Sequence, residues 1–464
     1  MMKKRLLPYC VLLILCFIGV KTHASTETSD HDSVSPYVLT DKSDLPTNQM
    51  QLKGTDVEVN INGSIAEVTV RQQFKNMDNQ IITGRYVFPA PTKALVHGIQ
   101  MKTDEKTFTA TVKEQKTARE DFNRFKEEGK NVLLLKQERK DLYSMNLANI
   151  MPGETVDIEL SYTELLIPTN MEYEFVYPAV SAPGYTAQPE ADFNIEVNIS
   201  SGIPIRQVMS MTHDIDTILE TESSAKVVLK DSDKNGPVQD YILRYRLAAQ
   251  KMPSGLILSA GKDEKFLLLN EYIGAPGLKN ISVRFTDLKT YDLEPSSIPD
   301  ISDHRPVTVL AKWEGDADGL IKVEGRMNRR DYSKTYRFVK NKSRNANGAL
   351  KHLWAEKRLE RLSGLETQKE YPDINSEITD LGLKYNVLTK NTSFLALNDT
   401  VRKMVTPVVE VEQSLPLPEE EEMPAPARIA KVPEPEFYLL VLIMTAVLAT
   451  GSVRRKAAFK KILQ

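Results

Sequence analysis

Cysteine is almost absent from this sequence. Of its 464 residues only Cys10 and Cys16 are cysteines, and both lie in an apolar stretch near the first residue. That stretch has the pattern of a signal peptide, so the exported body would contain no thiol. Disulfide bonds, thiolate zinc sites and cysteine nucleophiles are therefore excluded from the body, which must be stabilised by core packing.

Sequence signatures of catalysis are absent as well. The chain has no Gly-x-Ser-x-Gly, no phosphate-binding glycine loop and no paired-carboxylate signature. Ser393 has no partner base close to it in the sequence, so hydrogen bonding at a strand end is predicted for it. Without a metal-binding spacing, surface or capping positions are predicted for the scattered histidines His31, His97, His213, His304 and His352. We predict a protein that is not an enzyme and has no metal or cofactor; an unrecognised hydrolase is the least favoured alternative.

The start of the chain predicts export. Basic residues 3–5 precede an apolar core at 11–20, and small residues ending at Ala24 offer a cleavage site. We expect signal peptidase to remove residues 1–24.

The end of the chain predicts a membrane anchor. Residues 437–453 carry no charge and are followed by Arg454, Arg455 and Lys456. Such a run is at the short limit for a helix that crosses about 30 Å of hydrocarbon. The basic cluster is expected to remain in the cytoplasm, which predicts a transmembrane helix at 437–453 and a cytoplasmic tail at 454–464.

The chain carries a formal net charge of −3 although both ends are basic. The body between those ends is therefore more acidic than the whole. An acidic body is expected to repel nucleic acid and anionic lipid surfaces, so no nucleic-acid partner is predicted.

Alternation of apolar and polar residues dominates the body. Residues 57–61 and 66–74 alternate on either side of Asn62-Gly63, which predicts a β-hairpin. Two segments break the pattern and predict helices, a charged stretch from Glu114 to Glu128 and an amphipathic stretch from Asn347 to Leu365. The predicted fold class is mainly β (α+β).

The pattern divides the chain into regions. We predict a flexible lead-in at 25–49, a first β domain at 50–170, a second β domain at 171–276, a mixed α/β region at 277–405 and a Pro/Glu-rich stalk at 406–436. Proline and like charge keep the stalk extended, and Glu419 to Glu422 within it favour a solvated spacer over a calcium site. Leu353 and Trp354 in the second helix are predicted to pack in a core rather than to dock a partner.

Two acidic motifs resemble parts of calcium loops only weakly. Asp231 to Gly236 copies the first half of such a loop, but Ile242 stands where a bidentate Glu is required. A hairpin turn is predicted instead. Asp316 to Gly319 likewise predicts a turn, between Trp313 and Ile321.

Several short segments share their order and spacing with a known module. They are Gly84–Pro89, Lys116–Arg119, Val132–Leu135, Asn149–Glu154 and Leu160–Tyr162. This range resembles a VIT domain, the module shared by inter-alpha-trypsin inhibitor heavy chains and the vault poly-ADP-ribose polymerase. The resemblance implies an antiparallel β-sandwich over about 50–170.

Later segments resemble bacterial proteins that join a VIT domain to a von Willebrand factor A domain. Tyr241–Leu247 is similar to the stretch before that A domain, and three later segments are similar to the stretch after it: 299–307, 349–355 and 377–394. The A domain itself is missing, because Pro276 runs almost directly into Ile281 and no Asp-x-Ser-x-Ser motif occurs. Its divalent-cation site is therefore not carried over.

The tail resembles a PEP-CTERM sorting signal, in which Pro-Glu-Pro precedes a membrane span and an arginine cluster. The residues concerned are Val432, Pro433, Glu434 and Pro435. The resemblance implies processing by exosortase, a transpeptidase-like membrane enzyme of Gram-negative bacteria. A plain stop-transfer anchor is the alternative, since Pro-Glu recurs at Pro418-Glu419.

Together these features predict an exported, single-pass inner-membrane protein whose body lies in the periplasm, or is released to the outer surface after C-terminal processing. Contacts with an unidentified protein or glycan are its predicted function. The alternative is an accessory subunit that supplies a VIT domain to a partner carrying the A domain.

Overall fold

A computed structural model describes residues 37–39 and 50–401 of the chain. Within this span it leaves out 90–93, 104–105, 140–141, 170–171, 179–191, 231–239, 249–254, 262, 273–276, 302–305, 316–317, 328–329, 340–347 and 366–372. All described residues belong to one compact unit. The predicted signal peptide, stalk, membrane helix and basic tail lie outside them.

The largest sheet holds the predicted hairpin. Its strands are β2 (Met50–Asn62), β3 (Ile65–Asn76), β5 (Leu95–Thr103), β6 (Lys106–Thr109), β10 (Thr155–Leu165), β12 (Asp192–Ser200), β14 (Ile215–Thr221) and β15 (Ser224–Leu229). They lie in the order β14-β15-β12-β2-β3-β10-β5-β6, and only the β2–β12 pair is parallel among the described strand pairs. The hairpin at Asn62-Gly63 is confirmed, and Gly63 supplies its positive φ of 63°.

A second sheet packs against the first. It contains β1 (Tyr37–Leu39), β4 (Ile82–Pro89), β7 (Thr111–Glu114), β8 (Lys130–Arg139), β9 (Leu142–Ile150) and β24 (Thr392–Val401). Their order is β1-β4-β9-β8-β24-β7, so a late strand lies between two early ones. Helix α1 (Gln115–Glu127) confirms the first predicted helix, and its Ala118 and Phe122 pack on the outer face of β8.

A small sheet completes this first sandwich. It is formed by β11 (Glu172–Tyr177), β13 (Ile205–Ser210) and β16 (Tyr241–Leu247), in the order β11-β16-β13. Residues of all three sheets share one apolar core, in which Phe74, Phe175 and Phe394 are fully buried. The sandwich thus contains strands from beyond the predicted boundaries at 170 and 276.

A second β body follows in the sequence. One sheet contains β17 (Gly255–Ala260), β18 (Lys265–Glu271), β20 (Lys289–Glu294) and β21 (Val307–Glu314), and the other β19 (Leu278–Thr286), β22 (Asp318–Met327) and β23 (Arg330–Val339). Both sheets contribute to one core. In the sequence only residues 272–277 separate β18 from β19, near the position at which the resemblance would place an A domain. Of the turn predicted at Asp316 to Gly319, residues 316–317 lie outside the described part of the chain, whereas Asp318 and Gly319 already belong to β22 and pair with β23.

Two helices lie where the β bodies meet. Helix α2 (Ala349–Leu365) confirms the second predicted helix, and its Leu353 and Trp354 are buried as predicted. Helix α3 (Ile374–Tyr385) is an additional element that the sequence analysis did not predict. Their shared core includes Ile65, Leu95 and Leu165 from the first body and Phe266, Leu268 and Leu310 from the second.

An ion cluster reinforces this contact. The Glu294 carboxylate at the end of β20 is fully buried and accepts hydrogen bonds from Arg358 at 2.9 Å and Arg361 at 3.0 Å, both on α2. A carboxylate without these partners would be costly to bury. The cluster therefore fixes α2 against the second body.

The predicted fold class, mainly β with a VIT-like sandwich, is confirmed. No helix in the described part of the chain is long and apolar enough to cross a bilayer. The predicted transmembrane helix at 437–453 is not among those residues.

Candidate interaction surface

The predicted processing and anchoring residues lie outside the described part of the chain. These are Ala24, Val432, Pro433, Glu434, Pro435, Arg454, Arg455 and Lys456. The same holds for the acidic motif at 231–236, the glutamate run at 419–422, and His31 and His304. Their roles remain predictions.

Two of the scattered histidines meet in the folded chain. The rings of His97 on β5 and His352 on α2 stack with their centroids 3.9 Å apart and their planes 8° apart. His97 Nε2 also lies 2.9 Å from Thr163 Oγ1. The prediction of surface or capping positions is therefore wrong for this pair, which packs between the first sandwich and α2.

Burial keeps both imidazoles neutral. Desolvation lowers the pKa of His97 to about 4, with a smaller contribution from Lys351. Desolvation together with His97 and Lys351 lowers the pKa of His352 to about 2. No cluster of three or more metal-ligating side chains occurs in the described residues, so we treat the stack as a packing contact.

Ser393 is fully buried at the start of β24. Its Oγ has no hydrogen-bond partner among the described atoms, so the predicted side-chain hydrogen bond at a strand end is wrong. A hydroxyl with no base beside it is not activated as a nucleophile.

Two surface depressions contain charged side chains that bind each other. On the outer face of the large sheet, Arg71 pairs with Glu159 at 2.8 Å and with Glu58 at 3.3 Å. A cavity of about 290 Å³ next to α2 is lined in part by Glu138, which pairs with Lys136 at 2.9 Å. Burial would raise the pKa of Glu138, but hydrogen bonds from Ser144 and Lys136 lower it instead. Neither depression presents a group that requires a ligand.

The end of the large sheet at β14 is different. Within the described residues β15 is the only strand paired with β14, so β14 is an edge strand. Met211 just before it is 75% exposed, and Ile218 and Leu219 within it are 55% and 60% exposed. Large apolar side chains grouped in one ribbon mark an interaction surface more strongly than single ones do.

The pairing register explains why this ribbon is exposed. Thr217 and Leu219 lie opposite Val227 and Ala225 of β15, which are buried in the sandwich core. Directly opposed residues share one face of a sheet, so Thr217 and Leu219 also point inwards. No described element covers them, and both remain exposed. The large sheet therefore extends beyond the layer that faces it.

We call residues 211–221 the open edge. The segment from Asp214 to Glu222 contains four carboxylates and no lysine or arginine. Lys230, which follows β15, forms an ion pair with Asp216 at 3.9 Å. The sequence signal for this site was the adjacent apolar pair Ile218-Leu219 in a polar segment, and it is too weak to stand out by itself.

Comparison with known proteins gives related sequences of much greater length. Protein mono-ADP-ribosyltransferase PARP4 of Mus musculus is 27% identical over 140 residues, 30% of this chain and 7% of that protein. Von Willebrand factor A domain-containing protein 5A of Homo sapiens is 26% identical over 179 residues, 37% of this chain and 23% of that protein. A von Willebrand factor A domain-containing protein of Dictyostelium discoideum is 22% identical over 242 residues, 51% of this chain and 26% of that protein. The chain thus matches about a quarter or less of each relative.

The family model that matches covers the first sandwich. It is the Vault protein inter-alpha-trypsin domain, and it matches residues 52–162. This range begins in β2 and ends in β10, and it contains the segments on which the resemblance was based. Residues 52–162 of this chain are therefore a VIT domain.

Proposed function

We propose that this chain is a non-enzymatic protein of the Gram-negative cell envelope that binds other proteins through its exported β bodies. The VIT domain and the relatives named for a von Willebrand factor A domain support a role in protein interaction. The tail would tether the body to the inner membrane or direct it to exosortase. A glycan partner is the less favoured form of the same proposal, since the open edge exposes aliphatic groups and contains no Phe, Tyr or Trp side chain.

The open edge is the observation that carries this proposal. An exposed strand edge with apolar side chains on both faces is costly for a protein that has no partner, because it invites association. A partner that covers Met211, Ile218 and Leu219 would remove this cost.

Site-specific photocrosslinking in the native envelope tests the proposal. A photoreactive amino acid replaces Leu219, and the matched control carries it at Leu383, an exposed apolar residue of α3. We expect a discrete crosslinked protein from position 219 and none from position 383. The proposal fails if position 219 gives no crosslink, or if both positions give the same products.

The tethering part of the proposal has its own test. Intact-mass analysis of the protein from its native envelope should show loss of everything after about Pro435 if exosortase processes the tail. A retained tail would leave a simple membrane anchor. In that case the sorting proposal fails, while the interaction proposal is unaffected.

A second candidate is an accessory subunit. The relatives are named for a von Willebrand factor A domain, whereas this chain has no Asp-x-Ser-x-Ser motif. The chain would then pair with a separate protein that contributes the A domain. Identification of the protein that crosslinks at position 219 tests this second candidate. A partner that has no A domain would contradict the accessory-subunit proposal.

A further inference from the structure

We infer that the open edge receives an extended segment of a partner protein in which aliphatic residues alternate with lysine or arginine, added to the large sheet as a further strand beside β14. This inference deepens the proposed function by naming the chemistry of the partner. It rests on the backbone pattern of β14, the placement of its side chains and its charge.

The backbone of β14 has free hydrogen-bonding capacity on its outer side. The Lys230 N–H donates to the Asp214 carbonyl at 3.1 Å, which makes these two a hydrogen-bonded pair of the antiparallel ladder. Such pairs alternate along the strands, so Asp216 and Ile218 also bond to β15. The N–H and C=O groups of Ile215, Thr217 and Leu219 therefore point away from β15, towards the open side.

The side chains offer an added strand apolar contacts on both faces. Leu219 lies on the inner face of the sheet with Thr217, and Ile218 lies on the outer face. An incoming strand alternates its side chains between these faces and would place aliphatic groups beside them. Strand addition of this type derives affinity from main-chain hydrogen bonds and specificity from alternate side chains.

β14 lacks two of the features with which proteins block edge pairing. Its seven residues contain no lysine and no proline. The edge strand β23 shows the contrast, because it carries Arg330, Lys334 and Arg337. The irregular register between Leu219 and Thr221 limits the receptive window to its first five residues, 215–219.

Charge selects the partner. The carboxylate of Asp216 lies within the window and those of Asp214, Glu220 and Glu222 flank it, and the same segment contributes no lysine or arginine. A basic strand would be attracted to them. A second copy of β14 would bring the same four carboxylates against them, and like charges on paired strands are destabilising. The partner is therefore a different protein.

Binding of a defined peptide to the full-length protein in detergent tests the inference. The probe is a fluorescein-labelled peptide Lys-Val-Lys-Ile-Lys-Val-Lys, measured by fluorescence anisotropy. Two matched peptides serve as controls: one with Glu in place of every Lys, and one with Pro in place of Ile, which keeps the charge but interrupts a strand. We expect both controls to bind at least about tenfold more weakly.

A pair of variants tests the backbone contact directly. Thr217→Pro removes an outward N–H that β15 does not use, whereas Thr217→Val keeps it and preserves strand propensity. We expect Thr217→Pro to weaken binding at least about tenfold and Thr217→Val to leave it unchanged. Equal binding by the two variants, or by the Lys and Pro-interrupted peptides, overturns the inference.

If Thr217→Pro does not fold, the variant Leu219→Lys tests the same inference. This side chain is largely exposed, so its replacement should not affect folding. The new lysine places a cation in the acidic window and should weaken binding of the basic peptide at least about fivefold. Unchanged affinity for this peptide overturns the inference. If crosslinks from position 219 persist in the Thr217→Pro variant, strand addition is refuted but the proposed function stands. If position 219 gives no crosslink in any variant, the proposed function itself is refuted.

Discussion

Acid should weaken the contact between α2 and the first sandwich through the His97–His352 stack. The unfolded chain binds protons at both imidazoles below their ordinary pKa of about 6.5. Burial lowers the pKa of His97 to about 4 and that of His352 to about 2 in the folded chain. The stack is therefore fully stabilising above pH 6.5, and its contribution is lost as the pH falls towards 4.

The size of this loss follows from the two pKa values. At pH 5 the folded chain keeps both rings neutral, whereas the unfolded chain has bound a proton at each. One pKa unit corresponds to about 1.4 kcal/mol, so each histidine lowers the free energy of unfolding by about 2 kcal/mol relative to pH 8. The pair together should contribute about 4 kcal/mol of acid sensitivity.

Urea denaturation at pH 8 and pH 5 measures this contribution. The chain has two tryptophans, and Trp354 lies on α2 close to His352. In a Trp313→Phe background the fluorescence of Trp354 reports the unfolding of this region alone. The Trp313→Phe parent is compared with a variant that also carries His97→Gln and His352→Gln.

The difference in the free energy of unfolding between pH 8 and pH 5 should be about 4 kcal/mol smaller in the double variant than in the Trp313→Phe parent. Carboxylates that titrate below pH 5 act in all variants and cancel in this comparison. An equal pH dependence in the Trp313→Phe parent and the double variant would refute the reasoning, because it would show that the stack does not control the acid response.

Four further substitutions test the contacts inside the fold. Glu294→Gln should lower the free energy of unfolding by about 2–3 kcal/mol, measured by urea denaturation, because it leaves two arginines without their buried carboxylate. Gly382→Ala should lower the melting temperature, because a Cβ there would lie 2.7 Å from Thr392 Cγ2; Gly364→Ala, which meets nothing within 4 Å, should raise it slightly. Phe394→Ala should cost about 3–5 kcal/mol by loss of a fully buried ring, and unchanged stability would contradict its place in the core.

Local patterns predicted much of the fold. The hairpin at Asn62-Gly63 and the helices α1 and α2 follow from alternation, turn residues and amphipathic spacing, all of which act over a few neighbouring residues. Helix α3 also carries such a signal, because Ile374, Ile378, Leu381 and Tyr385 are spaced for one buried face. The segment is short, however, and its apolar residues are fewer than those of α2.

The remaining features depend on contacts between distant parts of the chain. His97 and His352 carry no mutual signal, because they lie far apart in the sequence. Ser393 lies at a strand end, as expected, but it is fully buried there because β24 enters between two strands formed much earlier, and its Oγ has no hydrogen-bond partner among the described atoms. The open edge is recognised only when the register shows that Thr217 and Leu219 face inwards without a covering layer.

The position of β24 also determines the order in which this protein can reach its final form. Strands β7 and β8 form a gap that stays empty until residues 392–401 have emerged, after every other described element has been synthesised. Until then the apolar row from Val132 to Leu135 lacks its neighbour, and an incomplete sandwich of this kind is prone to aggregate. Factors that delay folding until residues 392–401 have been synthesised should therefore raise the yield of this protein.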